Sequence, residues 1–140
     1  MAKLYSKLLQ RDLDPIRNIQ VTMGSSNALR LIADSYINPG DEVILFEPFY
    51  YLYPHCIYLS GGKLVPVPLR CKKGNDSLHI TSCDNSNDLS FDPKELESKI
   101  NGKTKLIWLN NPNNPTGKVI QKNMQVQIFF QRTIIFLKKN

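Results

Sequence analysis

Long apolar runs are missing from these 140 residues. None reaches the roughly 20 residues that a membrane-spanning helix requires, so the sequence argues against a membrane partner. The opening residues, Met1 to Ser6, carry no secretory apolar stretch. Histidine and cysteine are scarce, at two and three residues. Cys56, Cys71 and Cys83 are odd in number and lack the spacing of metal ligands. His55 adjoins Cys56, but adjacent side chains point apart on a helix or a strand, so the pair is no dyad. His79 stands in a polar stretch without an evident partner. Structural or incidental roles are expected for all five. A reduced compartment is expected with them: the cytoplasm, or the mitochondrion for a longer form. Positive charge is in excess, at +6, yet it is not concentrated. Arg11, Arg17, Lys72, Lys73, Lys103, Lys105, Lys118, Lys122, Lys138 and Lys139 form no stripe with interleaved aromatics, which argues against a nucleic-acid partner. Neither a Gly-x-Gly-x-x-Gly fingerprint nor a Walker phosphate loop is present, and no internal repeat is found.

What is there is one domain's worth of chain, with enough length to bury a core. The apolar fraction of 41% and charged fraction of 21% are ordinary for a globular protein. Residues 2–11 fit an amphipathic helix, with Leu4, Leu8 and Leu9 on one side. Asn18 to Met23 reads as a short strand. Gly24 to Asn27 opens a helix to about Ile37, with Ala28, Leu29, Ile32, Ala33, Tyr36 and Ile37 at helical spacing. Asn38 to Asp41 turns the chain into a strand, Glu42 to Phe46. A helix over Tyr53 to Ser60, with Pro54 in its first turn, ends at Gly61-Gly62. Leu64 to Leu69 is another strand, whose Pro66 and Pro68 place it at the edge or end of a sheet. Residues 70–90 are polar and read as a long loop. Asp92, Pro93 and Glu95 occupy the N-cap, first and third positions of a helix to about Ile100. Leu106 to Leu109 is a buried strand, and Gln121 to Asn140 reads as a short helix followed by a strand. This alternation predicts an α/β fold with mainly parallel strands.

Three constellations carry possible chemistry, and each has a plain structural alternative. At Thr22 to Ala28 a strand passes through a small-residue turn into a helix. Free N–H groups at the positive end of that helix suit a phosphate, with hydroxyls from Ser25 and Ser26, although Ser and Asn are also simply good caps. At Glu47 to Tyr53 four aromatics follow a core strand, where a ring either stacks on a flat ligand or packs the core. At Asn110 to Lys118 a hydrophobic strand ends in Asn-Asn-Pro-Asn-Asn-Pro-Thr-Gly-Lys. There Asn114 either offers an amide donor at the ligand-binding edge of a sheet or belongs to a tight turn. Together a phosphate cradle, a stacking ring and an amide suit a flat, phosphorylated cofactor.

These segments resemble the large domain of the pyridoxal-phosphate-dependent aminotransferases of class I/II, fold type I. They are most like the kynurenine aminotransferase / cysteine-S-conjugate β-lyase group. The runs that carry the resemblance are Leu13 to Thr22, Pro39 to Ile44 with Glu47 to Tyr50, Gly61-Gly62, Phe91 to Leu96, and Asn111 to Val119. They cover residues 1 to about 119 in the family's order and leave 120–140 as a divergent C-terminal tail. The resemblance implies part of the large-domain, mainly parallel sheet of a fold-type I enzyme, incomplete. It implies that Ser25 and Ser26 lie in the turn whose amides hold the cofactor phosphate; Ser-Ser-Asn departs from the Gly with an aromatic or Thr common there. It places Tyr50 at the ring that stacks on the pyridine. Asn114 falls at the residue that donates to the cofactor's phenolic oxygen and lies near the substrate carboxylate.

The implied activity is kynurenine–oxoglutarate-like transamination with pyridoxal phosphate, between an amino acid and a 2-oxo acid, in a homodimer. No catalytic residue is assigned. Lys118 belongs to the turn motif. The family's Schiff-base lysine, its aspartate at the pyridine nitrogen and its carboxylate-clamping arginine have no counterpart in this sequence. A truncated, inactive aminotransferase is therefore expected; the alternative is a non-catalytic interaction module docking on a full-length subunit.

Overall fold

The computed structural model describes residues 1–71, 83 and 85–121, together with the backbone of 134–138. Its centre is a four-stranded parallel sheet. Strand β1 (Glu42–Glu47) is flanked by β2 (Lys63–Pro68) and β5 (Thr104–Asn111), and β6 (Ile134–Lys138) adds to the far side of β5, giving the order β2-β1-β5-β6. Such an arrangement buries both faces of the central strands, so they read as continuous apolar runs. Alternate residues show this directly. Val43, Leu45, Leu106 and Trp108 enter one cluster with Leu29, Ala33, Ile37, Tyr53, Cys56 and Ile57. Ile44, Phe46, Ile107 and Leu109 enter the opposite cluster with Val67, Leu69, Leu89, Phe91, Leu96 and Ile120. The proline-bearing strand β2 lies at the end of the sheet's strand order, as its sequence predicts.

The first face is covered by α2 (Gly24–Tyr36) and α3 (Leu52–Leu59). Gly24 enters α2 at φ +80°, and the turn after Ile37 is closed by the Asp41 carboxylate accepting from the Asn38 N–H. Gly62 permits a close approach: a Cβ there would stand 2.7 Å from Ile37 Cγ2 and 3.1 Å from Ile57 Cγ2. The second face is covered by α4 (Pro93–Lys99). The Asp92 carboxylate accepts from the Lys94 N–H, with Pro93 in the first turn, as expected. Glu95 pairs with Arg70 and with Lys99. Arg70 belongs to a short antiparallel pair, β3 (Arg70–Cys71) with β4 (Leu89–Ser90).

The helix α1 (Ala2–Leu9) forms, but its apolar side is not buried among the described residues: Leu4 and Leu8 stay exposed. The strand expected over Asn18 to Met23 does not form. A strand is stabilised by a ladder, and among the described residues this segment has no neighbour to pair with, so Val21 and Met23 face solvent. The loop expected over residues 70–90 is in part the β3–β4 pair. It also carries a disulfide between Cys71 and Cys83, whose Cα atoms are 5.7 Å apart. Incidental thiols in a reduced setting do not describe these two; Cys56 alone is a free thiol, and it is buried. His55 donates from Nδ1 to the Tyr51 carbonyl oxygen at 2.7 Å, and makes no dyad with Cys56. His79, and the short helix read after Gln121, lie outside the described residues; the strand read after it is β6.

Candidate functional site

Neighbouring parallel strands leave a sheet at the same edge. β1 and β5 are such neighbours, so the segments after Glu47 and after Asn111 emerge side by side at their carboxyl ends. Both emerge through proline, Pro48 and Pro112.

The segment after β5 is a closed loop built by its own asparagines. Asn111 pairs its side chain with the backbone of Ile120, accepting from N–H at 2.9 Å and donating to C=O at 3.2 Å. Asn113 is buried; its amide donates to the Pro48 carbonyl at 3.0 Å and to the Thr116 hydroxyl at 2.9 Å. Its backbone N–H donates to the Lys118 carbonyl, and its carbonyl accepts from Gly117, which turns at φ +71°. The Lys118 ammonium is buried and donates to the Asn87 carbonyl at 2.8 Å. Asn110 accepts through its side-chain carbonyl from the Asn114 N–H and from the Tyr53 hydroxyl, each at 2.9 Å. Four asparagines thus have their positions, and three spend their side chains on the loop. Asn114 is exposed, and among the described residues its side-chain amide makes no hydrogen bond, which leaves a donor at the sheet edge.

The segment after β1 holds Tyr50 half-buried, with edge contacts to Tyr51 at 4.7 Å and Tyr53 at 5.6 Å between ring centres. Tyr53 packs in turn on Trp108 at 5.4 Å. Hydrogen bonding with the Tyr51 side chain raises the Tyr50 phenol above its ordinary range, and burial raises that of Tyr53. Both are neutral hydroxyl donors at neutral pH. The Asn113–Pro48 and Asn110–Tyr53 bonds join this aromatic segment to the asparagine loop.

Ser25 and Ser26 lie in the first turn of α2, exposed, and no side chain caps that helix. The 13-residue helix is about 20 Å long, and the six-residue strand β1 is also about 20 Å. Because the helix runs into β1 through the tight turn at Asn38 to Asp41, it retraces the strand, and its first turn lies toward the carboxyl end of β1. Tyr50 and Asn114 are thus joined through hydrogen-bonded neighbours, whereas Ser25 and Ser26 share the edge without a direct bond to them.

Reading the sequence missed Asn110, Asn113 and Tyr53. A signal was present: asparagine is depleted in strands and in buried positions, so Asn110 and Asn111, directly after the buried run Leu106 to Leu109 and with Asn113 beyond, mark side chains with hydrogen-bonding work.

The family described as "Aminotransferase class I and II" matches residues 1–137. Kynurenine–oxoglutarate transaminase 3 of Mus musculus is 44% identical over 116 residues, covering 83% of this chain and 24% of that protein. Kynurenine–oxoglutarate transaminase 1 of Homo sapiens is 36% identical over 122 residues, covering 87% of this chain and 28% of that protein. Among solved structures, Bna3p of Saccharomyces cerevisiae superposes with a TM-score of 0.82 at 32% identity, over 96% of this chain and 32% of that one. YbdL of Escherichia coli, a methionine aminotransferase, gives 0.76 at 26% identity, over the same shares of 96% and 32%. The chain spans about a quarter of the length of the relatives it matches by sequence. It belongs to the class I and II aminotransferases, a family that implies pyridoxal phosphate.

Proposed function

From that membership we propose that these residues form the cofactor-gripping edge of a kynurenine–oxoglutarate-transaminase-like enzyme, which moves an amino group from an amino acid to a 2-oxo acid. The observation that carries the reading is the asparagine loop, held by its neighbours on every side and left with one free amide at Asn114. The donor set fits a phosphorylated pyridine. An uncapped helix start with two exposed hydroxyls suits a dianion. A Cβ at Gly24 would meet nothing within 4 Å, so the approach to that helix start is open. Ser25 and Ser26 with the adjacent amides would hold the phosphate, Tyr50 would lie against the ring, and Asn114 would donate to the phenolic oxygen and stand near the substrate carboxylate. Pyridoxal phosphate, when bound, supplies an electron sink for the carbon that loses its proton.

Residues that this sequence does not contain would have to complete turnover, since the covalent lysine, the pyridine-nitrogen carboxylate and the substrate-clamping arginine have no counterpart in it. The homodimer and the cytoplasmic setting belong to the same proposal. No helix among the described residues is long and apolar enough to cross a membrane. No specific observation favours the interaction-module reading.

Pyridoxamine 5′-phosphate is the clean probe, because it cannot form a Schiff base with surface lysines. Titrated into the 140-residue chain, it should bind more tightly than either pyridoxamine or inorganic phosphate. Asn114→Ala should weaken it about tenfold, the worth of one hydrogen bond to a charged oxygen. Equal affinity for pyridoxamine with and without its phosphate, and no effect of Asn114→Ala, would remove the reading.

A further inference from the structure

We infer that Asn110 is a positioning residue of this site: its side-chain carbonyl takes hydrogen bonds from the Asn114 backbone N–H and the Tyr53 hydroxyl, and so holds Asn114 in place against the aromatic segment. The inference rests on the cofactor-binding reading above for its purpose, though not for its geometry.

The orientation of the Asn110 amide is set by chemistry. A backbone N–H can only donate, so the atom 2.9 Å from Asn114 N is oxygen; the Tyr53 hydroxyl then donates to the same atom. Tyr53 is buried, and among the described residues its hydroxyl bonds to Asn110. Its own N–H donates to the Tyr50 carbonyl at 3.0 Å. One oxygen atom therefore closes a path from Tyr50 through Tyr53 and Asn110 to Asn114, between the residue proposed for the ring face and the residue proposed for the phenolic oxygen. With its backbone N–H fixed, Asn114 can aim its side-chain amide in only a few staggered directions. A β-branched residue at 110 would extend β5 equally well, since it is the ladder and not the side chain that pairs Asn110 with Leu137 of β6. The asparagine serves the loop rather than the strand.

The test reads Asn114 directly. In the 15N-labelled full chain, Asn110→Ala should move the Asn114 amide proton upfield and raise its hydrogen-exchange rate, while the amides of Val43 to Leu45 keep their shifts. Asn110→Asp keeps both acceptor contacts and adds charge. It should move the same amide downfield, with a shift that follows the titration of the new carboxylate. Pyridoxamine 5′-phosphate should bind the alanine variant about tenfold more weakly than the parent, as one charge-assisted hydrogen bond is misaligned. An Asn114 amide that is indifferent to both substitutions overturns the inference, and the aspartate variant decides it if the alanine variant does not fold. Should the parent chain bind no pyridoxamine 5′-phosphate while Asn114 responds as stated, the cofactor reading fails and the positioning stands. Parent-like affinity in an Asn110→Ala variant whose Asn114 amide has moved would instead overturn the positioning role.

Discussion

Asn113→Ala isolates what the asparagine loop gains from its tie to the neighbouring strand. The Asn113 side chain is 6% exposed and donates both amide protons, one to the Pro48 carbonyl and one to the Thr116 hydroxyl. Alanine removes both donors. Thr116 is only half-buried and already accepts from the Lys118 N–H, so water or that bond compensates it. The Pro48 carbonyl has no such second donor among the described residues. One lost hydrogen bond and one stranded, partly buried carbonyl together cost about 2 kcal/mol. In a domain of this size that lowers the melting temperature by about 6 °C. Trp108, the single tryptophan, is buried in β5 and packs on Tyr53, so its fluorescence during urea denaturation reports on this edge. Asn113→Asp separates the hydrogen bond from mere side-chain volume. Its ionised carboxylate would face the Pro48 oxygen, so it should cost more than alanine at neutral pH and recover on acidification, when the acid can donate again. A loss below about 0.5 kcal/mol for alanine, or the same pH profile for both variants, would refute the reasoning.

Gly62→Ala should destabilise by about 1–2 kcal/mol, because the new methyl lands on two β-branched side chains, whereas Gly102→Ala, with nothing within 4 Å, should be neutral or gain about 0.5 kcal/mol. Parallel urea curves for the two variants check it, and equal effects would count against the tight approach at Gly62. The Glu95 carboxyl is held below its ordinary value of 4.5, chiefly by its hydrogen bond with Arg70 and further by Lys99, against a burial that raises it. A group depressed in the fold contributes stability that is present above its unfolded value and is lost as the pH falls through the folded one. Stability measured between about pH 3 and pH 6 should therefore fall more gently in Glu95→Gln than in the parent, and identical slopes would discard the pair as a source of acid sensitivity.

Much of the architecture was legible because it rests on patterns that the chain enforces locally. The Asp92-Pro93 start of α4 and the turn at Asn38 to Asp41 are made by side chains within a few residues of the backbone groups they satisfy, and both appear as read. The four-residue apolar runs of β1 and β5 fit only a strand covered on both sides, and both faces are covered. Asn18 to Met23 shows where such reading stops. Its residues have the propensity for a strand, but propensity describes a fit to a neighbouring strand, and that neighbour is a property of the rest of the molecule. The apolar side of α1 has the same character: its helical spacing is correct, but Leu4, Leu8 and Leu9 stay exposed among the described residues. The Cys71–Cys83 bond was hidden for a related reason, since it goes with the β3–β4 pairing, which sets Cys71 against Leu89 across the chain.

The candidate site divides along the same line. Asn114 and Tyr50 were legible as residues placed just past buried strands, where a sheet presents its ligand edge. Their supports were not, because each support is a contact across strands: Asn113 to Pro48 is 65 residues apart in sequence, and Tyr53 to Asn110 is 57. Such bonds cannot be inferred from spacing. They can be inferred from cost, however. A buried asparagine without partners loses several hydrogen bonds to water, so an asparagine within a buried apolar context implies partners of definite geometry. Across Asn110 to Asn114, three side chains carry such structural bonds and one does not. The structure identifies the free one as Asn114 and gives the others their partners.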